Sequence, residues 1–372
     1  MYTKQTNTSK YTYQEIFSYE HLLNCAYLCC KNVYWKTSVI NYMLSVVSNI
    51  SKTYKLLMNN KFRFGSTNEF DIYERGKKRH IKSIHIKERV VQKCICKYCL
   101  HPLFDKTLIY DNCACQKGKG LNFAINRLKG MLQKYYRRFG NHGYALIFDF
   151  SNFFNSISHK QCMKILESKI QDKQVLSVIE NCLDVYSEEV VIKNGCVIDK
   201  KGLGLGSEIS QCIATLIPNS IDHMIKDKYR CKYYIRYMDD GIIIHNNKDF
   251  LSNLLVEIQK EAEKLGLQLN IKKTRIVKIS KQFTFLKKRI SVLDNGSIIM
   301  KIDKSSITRM RRKLNKFSNK YKSGKMSIKN IQDSYNSWRS FALQFNSYNT
   351  VKSMDRLFYQ KFNIPLNKKG GR

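Results

Sequence analysis

Two adjacent aspartates between apolar segments constrain the fold of this chain more than any other feature. Tyr237-Met-Asp-Asp240 lies in the stretch from Lys232 to His245, where aromatic and β-branched residues stand on both sides of the acidic pair and Gly241 follows it. This pattern predicts two short strands joined by a tight turn. Two like charges at a hairpin tip repel each other by about 1 kcal/mol in water and by several-fold more near a protein surface. A cation of high charge would reverse the repulsion, so the pair indicates a metal site; a solvated Asp-Asp turn is the common alternative.

A third carboxylate in similar surroundings favours the metal interpretation. The apolar run Tyr144–Phe148 ends in Asp149, and Phe154 follows five residues later. Interpreted as a strand, the run places a carboxylate at its end, beside an aromatic-rich turn. Carboxylate oxygens are the ligands that Mg²⁺ prefers in proteins. The two acidic segments together therefore predict one magnesium site.

The order of these motifs along the chain resembles that of reverse transcriptases of the bacterial retroelement kind. The palm pattern of that family is a strand Asp with an aromatic five residues later, then a Gly-containing loop, then Tyr-x-Asp-Asp. Asp149, Phe154, Gly206 and Tyr237–Asp240 meet it in order. The resemblance runs from about Phe17 to the C-terminal helices and includes diversity-generating retroelement, retron, and defence-associated or other uncharacterised bacterial reverse transcriptases. Further segments that agree with the family order are Lys77–Ile81 and Glu88–Gln92 (fingers), Cys115–Gly120, Leu265–Thr274 (a lysine motif after the palm) and Phe283–Leu286 (a primer-grip turn).

The resemblance implies an α+β fold with the architecture of a right-hand polymerase. It predicts fingers in residues 66–140, a palm with an antiparallel sheet packed on helices in residues 141–300, with interleaved fingers elements, and a basic helical thumb with the C-terminal tail in residues 301–372. Residues 1–65 are predicted to hold an N-terminal arm and helices. A chain of 372 residues is also too long for one core of ordinary size. The predicted thumb carries 18 Lys and Arg against 3 Asp, as expected of a surface that follows a duplex through its phosphates.

The same resemblance gives the site residues their expected roles. Asp149, Asp239 and Asp240 are expected to be the catalytic metal ligands, holding two Mg²⁺ ions or Mn²⁺ in their place. Lys273 is the expected catalytic group that neutralises or protonates the pyrophosphate, with Lys272 as the alternative. The expected nucleotide-binding residues are Arg79, Arg89, Phe150, Phe154, Leu205, Gly206 and Tyr237.

The charge of the chain indicates a polyanionic partner. Lys and Arg number 66 against 29 Asp and Glu, which gives a net charge of +37. Nucleic acid is the leading candidate and an anionic membrane is the rival. Long uncharged stretches such as Thr37–Ser51 fall short of the ~20 apolar residues that a membrane span needs, and the N-terminus lacks a signal-peptide pattern. We therefore expect a cytoplasmic protein that binds an RNA template, a DNA product or primer, and dNTPs, and no membrane. An accessory protein or a homo-oligomer stays open.

Thirteen cysteines in such a chain are predicted to be reduced thiols. The group Cys94-x-Cys96-x-x-Cys99-x-His101, followed by Cys113-x-Cys115, also allows a zinc site. Apolar residues interleave with this group at helical spacing, which favours a helix over a zinc knuckle. Whether these cysteines bind a metal stays open at this point.

Periodicity predicts the remaining elements. Residues 1–15 have no clear period and are predicted to form a loose arm. Phe70–Val91, with Arg75 and Lys77 among its basic residues, alternates apolar and basic residues and is predicted to form a half-buried sheet with a cationic face. Lys117-Gly-Lys-Gly120 before a helix start is a candidate anion site. Other predictions are helices over Ile16–Leu57 (two or three), Leu121–Phe139, Lys160–Tyr186 and Asp249–Leu265, and a hairpin over Val190–Ile198 around Asn194-Gly195.

Three functions compete at this stage. The first is an RNA-directed DNA polymerase, which accounts for the carboxylates, the basic thumb and the motif order together. The second is a catalytically inactive RNA-binding protein on a decayed polymerase fold, and the third is a maturase-like partner of an intron RNA. Leu205 departs from the Gln that many reverse transcriptases carry in a Gln-Gly-x-x-x-Ser-Pro motif, because this chain has Leu205-Gly206 and Ser210-Gln211. The departure predicts looser copying, or copying of a narrow range of templates where fidelity matters little.

Overall fold

The computed structural model describes residues 11–65, 67–74, 76–193 and 196–365. Helices and antiparallel strand pairs alternate along the chain, which confirms the α+β fold class. The helices are α1 (Tyr13–Ile16), α2 (Tyr19–Cys30), α3 (Thr37–Leu44), α4 (Val46–Met58), α5 (Ile86–Cys94), α6 (His101–Phe104), α7 (Leu121–Phe139), α8 (Phe153–Ser156), α9 (His159–Glu167), α10 (Lys173–Val185), α11 (Glu208–Leu216), α12 (Asn219–His223), α13 (Lys248–Lys264), α14 (Lys304–Lys322), α15 (Ile328–Leu343) and α16 (Tyr348–Phe362), with π-helical segments at Ile95–Leu100 and Met224–Lys228.

The strands form four sheets within the described residues. A four-stranded sheet has the order β6-β7-β3-β8, and a three-stranded sheet has the order β11-β10-β9. Two further pairs, β1-β2 and β4-β5, are antiparallel ribbons. The strands are β1 (Asn68–Glu74), β2 (Lys77–Ser83), β3 (Tyr144–Asp149), β4 (Glu189–Lys193), β5 (Cys196–Lys201), β6 (Tyr234–Tyr237), β7 (Asp240–His245), β8 (Arg275–Lys278), β9 (Phe283–Phe285), β10 (Lys288–Val292) and β11 (Ile298–Ile302).

The chain divides into two compact units. The first comprises the chain up to Ala124 together with Phe148–Gly241 and Asn253–Thr274, and it holds every predicted site residue. The second comprises Ile125–Ile147, Ile242–Ser252 and the chain from Arg275 onward. The division into fingers, palm and thumb stays a prediction. In the described part of the chain, no helix is both long and apolar enough to cross a membrane.

Helix α5 is central to the core of the first unit. It packs against α2, α4 and α11, and its residues Val90 and Val91 are fully buried. Leu22 of α2 and Ile213 of α11 are also fully buried. The apolar side chains of these helices therefore pack against one another in the core.

Three helices and a small sheet form the second unit's C-terminal part. Tyr335 on α15 is fully buried, donates a hydrogen bond to Asp355 at 2.7 Å, and stacks on Phe358 of α16 with ring centroids 4.8 Å apart. Trp338 packs against the same cluster, while Phe341 packs against a neighbouring one around α15, α16 and the end of β11. Tyr335 is therefore a core residue, and Trp338 and Phe341 are partly buried against these clusters.

The strand prediction for Phe70–Val91 is wrong in its second half. The strands end at Ser83, and α5 begins at Ile86, because His85 and Glu88 form a capping box: each side chain accepts a hydrogen bond from the other end of the first turn. Strand β1 is exposed along its whole length, whereas Arg79 and residues 81–83 of β2 are partly buried, so one strand of the ribbon is less covered than predicted. Arg75 and the side chain of Lys77 lie outside the described residues.

Local capping also corrects two other predictions. Residues 11–15 are not a loose arm, because Thr12 and Glu15 form a capping box that starts α1 and Tyr13 is buried; residues 1–10 lie outside the described residues. The predicted Lys160–Tyr186 helix is divided into α9 and α10, since the Asp172 side chain accepts hydrogen bonds from the first turn of α10.

Several predicted elements are confirmed with their bounds. Helix α7 begins and ends where periodicity placed it, and α13 differs by one residue at each end. Gly266 follows α13 with a φ of +71°, a conformation that glycine adopts without strain at a helix end. Strands β4 and β5 confirm the predicted hairpin, while Asn194-Gly195 at its tip lies outside the described residues.

Candidate active site

Two neighbouring strands bring the three predicted aspartates together. Asp149 is the last residue of β3, and Asp240 is the first residue of β7, which lies beside β3 in the sheet. Asp239 stands in the turn between β6 and β7. Burial, and then the charge of Asp149, raises the pKa of Asp239. Burial, and then the charges of Asp239 and Asp149, raises the pKa of Asp240 to about 7. The three carboxylates therefore act on one another, as the sequence predicted.

Lys273 completes this group of charges. Its ammonium lies 2.7 Å from Oδ2 of Asp149. The contact follows from backbone pairing: Asn270 N–H donates to the carbonyl of Asp149, and Ser151 N–H donates to that of Gln268, so residues 268–274 run along the end of β3. Partial burial lowers the pKa of Lys273, but the hydrogen bond to Asp149 and the negative charges of Asp149, Asp240 and Asp239 together outweigh it, so the pKa is raised. Lys272, the predicted alternative, and Lys273 are both exposed, and the 2.7 Å contact of Lys273 with Asp149 is the reason to favour Lys273.

The residue types of this group fit a divalent metal ion, but their arrangement among the described residues is not a ready-made metal site. Asp149 is only 4% exposed, and no N–H group of the described residues donates to its Oδ1, while the carboxyl of Asp240 lies beside it. A buried carboxylate oxygen without a partner is costly unless a cation or donor reaches it. Among the described residues, no three His, Cys, Asp or Glu side chains stand in an arrangement that could itself hold a metal ion. The Lys273 ammonium places a positive charge beside Asp149.

Gly241 is required by packing at the start of β7. A Cβ atom at this position would lie 2.2 Å from the ring of Phe148, which is fully buried on β3. Sequence reasoning took Gly241 as a turn signal, whereas the turn precedes it. The glycine lets the two acidic strand ends lie side by side.

Gly241→Ala is expected to lower the free energy of unfolding by about 1–3 kcal/mol, because the new methyl group overlaps a buried ring. Thermal unfolding followed by circular dichroism measures the change. Gly130→Ala is the matched control: no atom lies within 4 Å of the added methyl group on helix α7, so this variant should be up to about 1 kcal/mol more stable. An unfolding midpoint for Gly241→Ala equal to that of the wild type would contradict the packing argument.

The two aromatics that follow Asp149 lie in different surroundings. Phe150 is 2% exposed and its ring stacks on that of Phe153 at 5.5 Å, so its side chain belongs to the core. Phe154 is half-buried in the first turn of α8. Its carbonyl accepts a hydrogen bond from Leu203 N–H at 2.8 Å, which ties α8 to the Gly-containing loop. Phe154 can therefore present part of its ring.

Arg89 and Leu205 line one cavity of about 410 Å³, together with Gly206. Arg89 is exposed and donates a hydrogen bond to Ser83 Oγ at 2.8 Å. Gly206 has a φ of +90°. A Cβ atom added at this glycine would have no neighbouring atom within 4 Å, so the loop leaves open space there. The cavity also has three lysines, one glutamate and an apolar wall; its other lining residues include Lys36, Lys82, Lys93, Glu208, Phe70, Ile81 and Ile84.

The remaining predicted nucleotide-binding residues lie apart from this cavity. Arg79 on β2 pairs with Glu74 at 3.0 Å across the exposed β1-β2 ribbon, and it does not line the cavity. Tyr237 ends β6 and is half-buried; burial, and then nearby cysteines, raises its pKa. The structure thus brings Arg89, Leu205 and Gly206 together in one place and the carboxylates with Lys273 in another.

Residues of the segments predicted as metal or anion sites form hydrogen bonds with other groups of the protein. Lys119 donates hydrogen bonds to the carbonyls of Tyr110 and Asn112 and so stabilises the loop that contains it. Lys117 is exposed. Cys96 hydrogen-bonds Cys212, whose Sγ also lies 3.8 Å from His101 Nε2. All thirteen cysteines carry thiols, and, as noted above, no metal-holding group is found in the described ranges.

Sequence reasoning missed one residue of this region, Arg236. It lies on β6, one position before Tyr237, and it is fully buried with Asp222 as its partner at 2.6 Å. The only signal in the sequence is a charged residue inside the otherwise apolar and aromatic run Tyr233–Tyr237. Charged side chains are rarely buried unless they are paired.

The segment that holds the candidate site matches one family of known proteins. The family described as Reverse transcriptase (RNA-dependent DNA polymerase) matches residues 50–289, more than half of the chain. No curated protein matches the chain. The matched range contains every predicted site residue, from Arg79 to Lys273. The chain therefore belongs to the reverse transcriptase family, whose members are RNA-dependent DNA polymerases.

Proposed function

We propose that this protein is a catalytically competent RNA-directed DNA polymerase whose reaction centre is formed by Asp149, Asp239, Asp240 and Lys273. The observation that carries the proposal is the meeting of three carboxylates and one ammonium at the ends of β3, the β6-β7 turn and residues 268–274. The substrates are a primed RNA template and dNTPs. Divalent metal ions are general in the family, and two Mg²⁺ ions, or Mn²⁺, are proposed here.

Each residue of the centre has a chemical task in this proposal. Asp149, Asp239 and Asp240 would hold the metal ions, which supply the Lewis acidity that stabilises the attacking 3′-oxygen and the leaving pyrophosphate. Lys273 carries a positive charge and a transferable proton beside Asp149, so it can neutralise or protonate the pyrophosphate as it leaves. Arg89 offers a guanidinium fork for the triphosphate at the cavity.

The right-hand architecture is part of the same proposal. The acidic sheet β6-β7-β3-β8 corresponds to a palm, the β1-β2 ribbon with α5 to fingers, and α14–α16 to a thumb. Helix α14 supports the last assignment, since its exposed face carries basic residues: Lys304, Arg309, Arg311, Arg312, Lys313, Lys316, Lys320 and Lys322. A helix with this charge suits the phosphates of a template–product duplex.

A non-enzymatic role on the same fold is the second candidate. An RNA-binding protein or a maturase-like partner of an intron would keep the basic surfaces and need no reaction centre. The convergence of Asp149, Asp239, Asp240 and Lys273 favours the enzyme, because a protein that only binds RNA needs no such cluster of carboxylates. The biological setting that we propose is a bacterial or phage retroelement or an antiviral defence system, in keeping with the motif resemblance.

Primer extension tests the proposal. The purified protein, a DNA primer annealed to an RNA template, dNTPs and Mg²⁺ should give a product whose sequence is complementary to the template. Removal of the metal with EDTA should stop extension, and added Mg²⁺ or Mn²⁺ should restore it. Tight binding of the same primer–template without any extension would favour the non-enzymatic alternative.

Leu205→Gln is expected to lower the error frequency about fivefold on a mixed-sequence RNA template. An amide at the cavity wall can form an oriented hydrogen bond to nucleotide or template, and such a bond contributes about 1 kcal/mol, whereas leucine offers only shape. Sequencing of the products gives the error spectrum. Leu205→Met is the control and should copy like the wild type, because it preserves an apolar side chain of similar volume. Equal, low error frequencies in the wild type and Leu205→Gln would contradict this explanation.

A further inference from the structure

The guanidinium of Arg236 is fully buried beneath the acidic turn. The guanidinium forms a bidentate ion pair with Asp222, which is also fully buried. Nε donates to Oδ1 at 2.8 Å, and Nη2 donates to Oδ2 at 2.6 Å. Tyr234 on the same strand donates its hydroxyl to Asp222 at 2.6 Å. A buried charge is tolerated when its geometry is good and its other hydrogen-bonding positions are filled. This ion pair meets that condition.

The donors of Arg236 that remain reach main-chain carbonyls. Nη2 donates to the carbonyl of Thr215 at 2.8 Å, and Nη1 donates to the carbonyl of Met238 at 2.8 Å. The main chain of Arg236 is held too, because its N–H donates to Asp111 and its carbonyl accepts from Cys113 N–H. The arginine therefore connects α11, α12 and the segment before residue 115 to the acidic turn.

The contact with Met238 acts directly on the reaction centre. Met238 has a φ of +56°, in a region that residues with a side chain rarely adopt. Its carbonyl belongs to the same planar peptide unit as the N–H of Asp239. Fixing the Met238 carbonyl therefore fixes the orientation of the peptide from which the Asp239 side chain departs.

We propose that Arg236 is a positioning residue: anchored by Asp222, it holds the Met238–Asp239 peptide so that the Asp239 carboxylate faces Asp149. This inference rests on the proposed polymerase function, since the effect on activity is read through that reaction. A lysine cannot replace the arginine, because four acceptor oxygens in three groups exceed the three donors of an ammonium and need the planar fork of a guanidinium. The rival explanation is that Arg236 and Asp222 are only a structural ion pair.

Two variants distinguish these explanations. Arg236→Lys keeps the charge and should lower kcat about tenfold, with the KM for dNTP and the affinity for primer–template within about twofold of the wild type. The double variant Arg236→Met/Asp222→Asn removes both charges at once, so neither is left buried alone. It should show the same loss of kcat. If the double variant does not fold, Arg236→Lys still decides the question.

A second readout does not depend on activity. Hydrogen–deuterium exchange should become faster in peptides covering residues 237–241 of both variants, while exchange elsewhere stays as in the wild type. Exchange that rises across the whole chain, or a wild-type kcat in a folded variant, would overturn the inference. If the wild type itself does not extend primers, the proposed function fails, and local exchange still tests the contact with the turn.

Lys226→Met is the matched control. Lys226 forms a neighbouring, largely buried ion pair with Asp111 at 2.7 Å, and it does not contact the turn. The variant should lose stability and keep kcat. A loss of kcat in Lys226→Met equal to that of Arg236→Lys would attribute the effect to stability and overturn the inference.

Discussion

Asp239→Asn is expected to lower template-directed extension by roughly 100- to 1,000-fold and to bind RNA as tightly as the wild type. The substitution removes one charge from the group that Asp149, Asp239 and Asp240 form, and with it a proposed metal ligand. Affinity for RNA comes mainly from contacts between basic residues and phosphates, and one charge among a net +37 changes that field little. The amide has nearly the volume of the carboxylate, so the turn can keep its packing.

Primer extension and filter binding on the same preparation measure the two effects. Asp249→Asn is the control, because Asp249 is an exposed aspartate in the first turn of α13 and its substitution changes the net charge by the same amount. It should extend like the wild type. Undiminished extension by Asp239→Asn would exclude this residue from catalysis, and a parallel loss of RNA binding would indicate misfolding.

Phe154→Ala is expected to raise the incorporation of ribonucleotides relative to deoxynucleotides by roughly 100-fold. The resemblance to reverse transcriptases implies that the aromatic five residues after the strand aspartate lies against C2′ of the nucleotide. A ring there leaves no room for a 2′-hydroxyl. The structure supports this hypothesis, since Phe154 is half-buried on a backbone held by Leu203, and its ring is edge-on to that of Phe153 at 5.7 Å.

Single-nucleotide incorporation of dNTP and rNTP on one template gives the discrimination ratio. Phe154→Tyr keeps a ring at this position and serves as the control, with a ratio close to that of the wild type. Equal use of both nucleotides by the wild type would refute the steric gate.

The carboxylates of the centre could be predicted from local sequence. Tyr144–Asp149 and the residues around Asp239-Asp240 each combine a run of strand-forming residues with an acid at its end, and this pattern depends on nothing distant. The same holds for α7, whose apolar positions repeat over five turns. Where one segment contains the whole signal, the prediction and the structure agree.

Helix α5, which carries Arg89, could not be predicted from local sequence in the same way. Alternating isoleucine and basic residues continue from the strand into α5, so a period of two masks the helix start. The capping signal, His85 followed three residues later by Glu88, was present in the sequence but is weaker with histidine than with serine or threonine. Exposure of β1 was also beyond sequence reasoning, since exposure depends on what covers a strand.

Arg236 shows a different limit. Its partner Asp222 lies on another element, and the carbonyls of Thr215 and Met238 that it binds carry no side-chain signature at all. Phe150 shows the same limit. The resemblance implied that it contacts the nucleotide, whereas its ring packs in the core. Main-chain acceptors and the direction of a side chain become visible only once the elements are packed.

The contact between Lys273 and Asp149 has a consequence for how the protein acquires activity. The two residues are 124 positions apart, and the pair Lys93–Glu208 spans 115 positions. Contacts of such sequence separation slow folding, because a long loop must close before they form. During synthesis at ~5–20 residues per second, Asp149 leaves the ribosome roughly 6 to 25 s before Lys273 can meet it. Asp149 therefore spends that interval without its lysine, and recovery of activity on refolding should follow the slowest folding phase.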